Sequence, residues 1–238
     1  MYRFAVTAIF LPWIALGASS GSASVLFGAH VGTKQDLHSR SDFVAFEASI
    51  GRKLAIDNDP EDWSVFPDSE RVEWDAQQGR LPMLSWRIAL HENPAKGCAT
   101  ADEIRAGKFD NQLKDQAAAA RNLGVPILVR FHYEMNDDRS NECFNGFRVS
   151  DNPKVAGEKF VATWKRVVDI FRAAGAENVK WVWAPTHRAY ETGLWRTFYP
   201  GANYVDWIAV DDYNRTDSPA SFFSNNGILS FYEAASRL

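Results

Sequence analysis

Cysteine is almost absent from this sequence, with two residues among 238. That scarcity excludes a disulfide-dense miniprotein, and two cysteines without nearby histidines do not make a zinc tetrahedron. A basic excess is missing as well: 26 Lys and Arg stand against 30 Asp and Glu, a net charge of −4. Nucleic-acid binding needs a basic surface, so that class of function is disfavoured. Beyond residue 23 no stretch is long or apolar enough for a bilayer span, which takes about 20 apolar residues. No GxGxxG or P-loop glycine pattern follows a candidate strand, which argues against a nucleotide-binding open sheet. What the chain has in excess is rings: 16 Phe, 9 Trp and 7 Tyr. They suit a ring-rich core, or a cleft whose flat apolar faces stack on sugars.

The first 23 residues, MYRFAVTAIFLPWIALGASSGSA, read as a secretory leader. Arg3 supplies the positive start, Phe4–Leu16 the uncharged apolar run, and Gly21 and Ala23 the small residues before a cleavage site. The expected organisation is a signal peptide over residues 1–23 and the N-terminal part of a catalytic barrel over 24–238, secreted or periplasmic. In an oxidising compartment Cys98 and Cys143 are most simply read as one disulfide, with two free thiols as the alternative.

Downstream, strand and helix patterns alternate. Val25–Val31, Leu81–Ile88, Val125–Phe131, Val179–Trp183 and Asp206–Val210 are apolar runs of strand length, and Lys53–Ile56 is a weaker one. After it, Asp57, Asp59, Glu61 and Asp62 read as a solvated acidic loop, without the spacing of a calcium-binding EF-hand. Phe109, Leu113, Ala117 and Ala120 recur at helical spacing with Gly124 as the stop; Phe160, Trp164, Val167, Val168 and Phe171 line a second helix. Ala220–Arg237 holds a further helix candidate. Repeated β-α units imply an α/β fold with a parallel sheet, wound open or closed into a (β/α)8 barrel. Six strands are visible, so the expected architecture is an incomplete TIM barrel of about six βα units.

In such a barrel chemistry sits at the C-terminal ends of the strands. There, Arg130-Phe131-His132-Tyr133-Glu134-Met135-Asn136 runs from a strand directly into a carboxyl group. Apolar and aromatic walls raise the pKa of a carboxyl by desolvation, which suits a proton donor near neutral pH. The same spacing suits an ion pair, because Arg130 and Glu134 share a face of an extended strand. His132 is expected on that face too, with Tyr133 opposite. Trp86 and Trp183, at strand ends, are candidates to floor a sugar subsite or to pack in the core.

RFHYEMND resembles the R-x-x-H-E-M-N-G signature of glycoside hydrolase family 26, the β-mannanase family. Four further segments are similar in the same order: GRKLAI through Trp63 to GRLPMLSWRI, IRAGKFDNQL, FVATWKRVVDIFRAAGAENVKWVWAPT, and FYPGANYVDWIAVDDYN. Together they extend over Phe27 to Asn214. The resemblance implies a retaining glycosidase with two carboxylates roughly 5–5.5 Å apart, acting on β-1,4-mannosidic bonds. Glu134 aligns with the acid/base, Tyr213 with a tyrosine of the −1 subsite, and Asn136 lies in the signature; His132, Trp86 and Trp183 complete the candidate substrate contacts. No cofactor, metal, nucleic acid or membrane is implied once the leader is removed, and a monomer acting on a polysaccharide is expected.

The chain departs from the family in three places. Tyr133 stands where the family has histidine, and Arg139 where an aromatic usually follows, so Phe144 or Phe147 would have to replace it. The family's nucleophile is a glutamate ending strand 7, whereas Leu238 falls in what reads as the helix after strand 6, and Glu233 has a helix-like context. The expectation is a barrel cut before strand 7 with its nucleophile unassigned. The alternatives are a catalytically dead carbohydrate-binding fragment, or a β-1,3-1,4-glucanase or β-1,3-xylanase.

Overall fold

The computed structural model describes residues 6–10, 26–31, 39–88, 97–138, 149–187, 190, 192–212 and 228–235. Seven strands form one sheet: β1 (Val6–Phe10), β2 (Gly28–Ala29), β3 (Ile56–Glu61), β4 (Leu81–Trp86), β5 (Ile127–Val129), β6 (Val179–Trp183) and β7 (Trp207–Asp212). Strands β2 to β7 pair in parallel and lie side by side in chain order. An open doubly wound sheet reverses its strand order at a switch point. No reversal occurs here, so the six strands form the curled arc of a (β/α)8 barrel rather than an open sheet.

The helices are α1 (Arg40–Ile50), α2 (Ser69–Gln77), α3 (Ala101–Arg105), α4 (Asp110–Leu123), α5 (Pro153–Ala173) and α6 (Ile228–Ala235). Helix α4 stops at Gly124, whose φ of 67° is open to glycine at no steric cost. In α5, Pro153 occupies the first turn and the Asn152 side chain accepts from the Val155 amide. No helix among the described residues is long and apolar enough to cross a membrane.

Strand alternation divides the core in two. Leu84, Trp86, Ile127, Val129, Trp181, Trp183 and Val210 point out against Leu113, Ala117 and Ala120 of α4 and Phe160, Trp164, Val168 and Phe171 of α5. Ile56, Met83, Leu128, Val182 and Ala209 point into the arc. Being covered on both faces explains why β5 reads as a continuous apolar run.

One expectation needs correction. The acidic run at 57–61 is strand β3 itself, and Asp57, Asp59 and Glu61 are buried rather than solvated. They face the α1–α2 side, where Arg71 bonds Asp57 and lies 3.2 Å from Asp59, and Arg80 forks onto Glu47 at 2.7 and 3.2 Å. Both guanidinium groups stack on Trp74, 4.7 and 4.6 Å from its ring centre. Val6–Phe10, within the expected leader, pairs antiparallel with the edge of β7, Val6 opposite Asp212 and Phe10 opposite Ile208. An edge strand offers a row of unpaired N–H and C=O groups, and a short extended segment satisfies them.

Burial pushes the Glu61 carboxyl up to about 8, against one hydrogen bond from the Asp68 amide at 3.1 Å. The unfolded chain releases that proton near the ordinary glutamate value of about 4.3, whereas the folded protein keeps it until about pH 8. The folded state is therefore favoured below pH 4 and loses stability steadily from there to pH 8. Glu61→Gln keeps the acceptor for Asp68 and removes this slope. Unfolding midpoints at pH 5 and pH 8 should show the variant gaining on wild type at the higher pH, by on the order of a few kcal/mol; equal slopes would contradict the assignment.

Candidate active site

The chain leaves β5 at Val129 and turns twice through the left-handed region. His132 has φ 42° and Glu134 φ 55°, the two non-glycine residues with positive φ among those described. Such backbone is disfavoured for side chains with a Cβ and persists only when the surroundings over-determine it, most often at functional sites. The surroundings here are backbone hydrogen bonds from both neighbouring strands. The His132 amide donates to Trp86 O at 2.7 Å, at the end of β4, and the Glu134 amide to Ala184 O at 2.8 Å, beyond β6. Glu134 O then accepts from the Asp137 amide at 2.8 Å. Glu134 is half-buried at the C-terminal mouth of the arc.

The double kink undoes period-two alternation, so the expected faces are exchanged. His132 is buried against Phe131 and against Phe160 of α5, on the helix side. Tyr133 packs against the inner cluster, its ring 4.1 Å from the Arg130 guanidinium. His132 is therefore not a cleft residue, and the tyrosine takes the inward position. Arg130 donates to Asp211 at 2.7 Å, joining the ends of β5 and β7. Burial pushes the Asp211 carboxyl above the ordinary range, with Arg130 opposing.

Asn136 is 9% exposed and engages Thr186 at two points. Its Nδ2 donates to Thr186 Oγ1, and the Thr186 amide donates to Asn136 Oδ1 at 2.8 Å. Thr186 also forms a parallel bridge with Asp211, whose amide donates to Pro185 O at 3.0 Å. Nothing in the sequence singles out Thr186: it is one small polar residue after a strand, and its partner lies 50 positions earlier.

Trp86 and Trp183 do not floor a sugar subsite, because both are fully buried on the outer side of the strands. Trp86 stacks between Trp63 at 4.9 Å and Phe66 at 4.3 Å. Trp183 donates to Phe198 O at 3.0 Å and meets Trp195 and Tyr199 edge-on. Each sits at an outward-facing strand position, the parity that sends side chains under the helices. Trp86→Ala is expected to cost about 3–5 kcal/mol of stability, measured by chemical unfolding.

Cys98 is disulfide-bonded; the chain's other cysteine, Cys143, lies outside the described residues. Tyr213 lies outside them as well. Glu233 is exposed on α6. Among the described residues no cluster of His, Cys, Asp or Glu has the arrangement to hold a metal ion.

Known proteins share this fold and sequence pattern. The family model for glycosyl hydrolase family 26 matches residues 99–235. Endoglucanase H of Acetivibrio thermocellus is 32% identical over 197 residues, covering 81% of this chain and 20% of that protein. A mannan endo-1,4-beta-mannosidase of Bacillus subtilis is 29% identical over 138 residues, 56% of this chain and 37% of its own length. The chain thus spans about a fifth to somewhat over a third of these two relatives. Among solved structures, a Bacillus subtilis mannanase superposes with a TM-score of 0.64 at 20% identity, over 89% of this chain and 68% of that one. A GH26 beta-mannanase from Bacteroides ovatus gives 0.52 at 14% identity, over 76% and 59%. With the family model matching more than half of its residues and the barrel arc shared with these mannanases, the chain belongs to glycosyl hydrolase family 26.

Proposed function

We propose that this protein is an exported retaining glycosidase acting on β-1,4-mannan, with Glu134 as the acid/base. The observation that carries the reading is the left-handed backbone of Glu134, pinned at the mouth of the barrel arc by the Ala184 carbonyl. A carboxyl held there can protonate the departing glycosidic oxygen and later deprotonate the incoming water. The second carboxylate belongs, by the family resemblance, to the end of a seventh barrel strand. The apolar stretch after Arg3 supports export with removal of residues 1–23, and we further propose that residues 24–238 belong to one catalytic barrel that works as a monomer.

The test is a paired assay of the protein carrying the whole barrel, in wild-type form and as Glu134→Gln. Wild type should release reducing ends from mannan; the variant should lose that activity while still being retained on a mannan column. Undiminished hydrolysis by the variant would refute the acid/base assignment. Retention without hydrolysis in both would favour a sugar-binding role. A β-glucan substrate is the second reading, supported by the 32% identity to Endoglucanase H, and the same assay run on β-glucan distinguishes it.

A further inference from the structure

We infer that Thr186 is a positioning residue for Glu134, a reading that rests on the proposed glycosidase activity. Three hydrogen bonds tie the segment around Glu134 to the exit of β6. One is backbone to backbone, from the Glu134 amide to Ala184 O. The other two both involve Thr186, which accepts from the Asn136 side-chain amide and donates its own N–H back to Asn136 Oδ1. The backbone N–H can only donate, so the atom it meets must be the amide oxygen, and the orientation of the Asn136 amide follows.

Thr186 also closes a ring. Its bridge to Asp211 joins β6 to β7. Asp211 accepts from Arg130. Arg130 opens the segment that Asn136 ends, with Glu134 between them. One end of the strained segment is thus held by β7 and the other by the β6 exit, and the Thr186–Asp211 bridge joins the two. A left-handed non-glycine residue is strained, and it holds its place only if its neighbours enforce it. Among these enforcing contacts, the Thr186 hydroxyl is the one that can be deleted without changing shape. Valine matches threonine in volume and leaves the Asn136 amide, which is nearly buried, without that acceptor. Serine keeps the acceptor.

The experiment compares wild type, Thr186→Val, Thr186→Ser and Glu134→Gln on mannan in the protein carrying the whole barrel, with amide hydrogen exchange of residues 131–137 measured in parallel. Thr186→Val should lower kcat by about tenfold or more, because small misplacements of a reacting group are costly. KM should stay within about twofold, since the hydroxyl is engaged by Asn136 and not by sugar. The kcat pH profile should shift, thermal midpoints should stay close to wild type, and Thr186→Ser should restore rate and profile. The Glu134 amide should exchange faster in Thr186→Val and at the wild-type rate in Thr186→Ser. A wild-type kcat and pH profile in Thr186→Val, or equal damage in both variants, would overturn the inference. If wild type does not hydrolyse any β-glycan, or Glu134→Gln does so undiminished, the glycosidase reading fails on its own. The exchange data then judge the clamp: unchanged Glu134 exchange in Thr186→Val refutes it, and faster exchange reversed by serine supports it.

Discussion

Glu134→Gln should lower the hydrolysis of mannan by about two to four orders of magnitude, the usual contribution of a positioned general acid. Glutamine keeps the size of the side chain, and the backbone bonds at Ala184 and Asp137 do not involve the carboxyl, so the fold should survive. The loss should depend on the substrate. Breaking a bond to a sugar oxygen needs a proton on the leaving group. An aryl glycoside with an acidic phenol leaves without one, so its first step should be far less affected. The alkaline limb of the pH profile, where a general acid loses its proton, should also vanish. Initial rates on mannan and on aryl mannosides of graded phenol acidity measure all three. An equal loss on every substrate would point to misfolding or to a role in binding instead.

Arg71→Met should destabilise the protein by about 3–5 kcal/mol, the cost of breaking a buried ion pair from one side. Total stabilities of about 5–15 kcal/mol make that a severe defect. Arg71 bonds Asp57, lies 3.2 Å from Asp59 and 3.9 Å from Asp75, and is 2% exposed. Around it four buried carboxylates, Glu47, Asp57, Asp59 and Asp75, face two guanidinium groups, Arg71 and Arg80. That imbalance shows in their protonation. Burial and then the neighbouring Asp75 push Asp57 up to about 8, and burial pushes Asp75 to about 6 although Arg71 opposes it. Glu47 moves the other way: burial works against its charge, but Arg80 and the Leu54 amide hold it below the ordinary range. Removing Arg71 should therefore hurt more at pH 8, where the acids must ionise without it, than at pH 5. Urea unfolding at both values checks this, and adding Asp57→Asn to Arg71→Met should recover part of the loss. A defect independent of pH would mean that packing, not charge, dominates at this position.

The same ionic layer explains which parts of the fold the sequence conceals. Helices α4 and α5 were legible because their buried faces are apolar at helical spacing. Helices α1 and α2 were not, because Glu47, Arg71 and Asp75 occupy the faces they bury. Their cap signals were present, Ser39 accepting from the Asp42 amide and Asp68 from the Arg71 amide. Strand β3 read as a loop for a similar reason: its outward positions carry Asp57, Asp59 and Glu61 where apolar residues would ordinarily mark a strand.

Local pattern thus determined the βα alternation, the number of parallel strands, the family and the position of Glu134 at a strand end, since each is written in neighbouring residues. Only the tertiary structure decided which way the site residues face. The left-handed turns at His132 and Glu134 depend on carbonyls of β4 and the β6 exit, far away in the chain, and they exchange the expected sides of His132 and Tyr133. The burial of Trp86 and Trp183 and the grip of Thr186 on Asn136 are likewise contacts between distant segments. Periodicity describes one strand or helix at a time, whereas these placements arise where several strand ends meet.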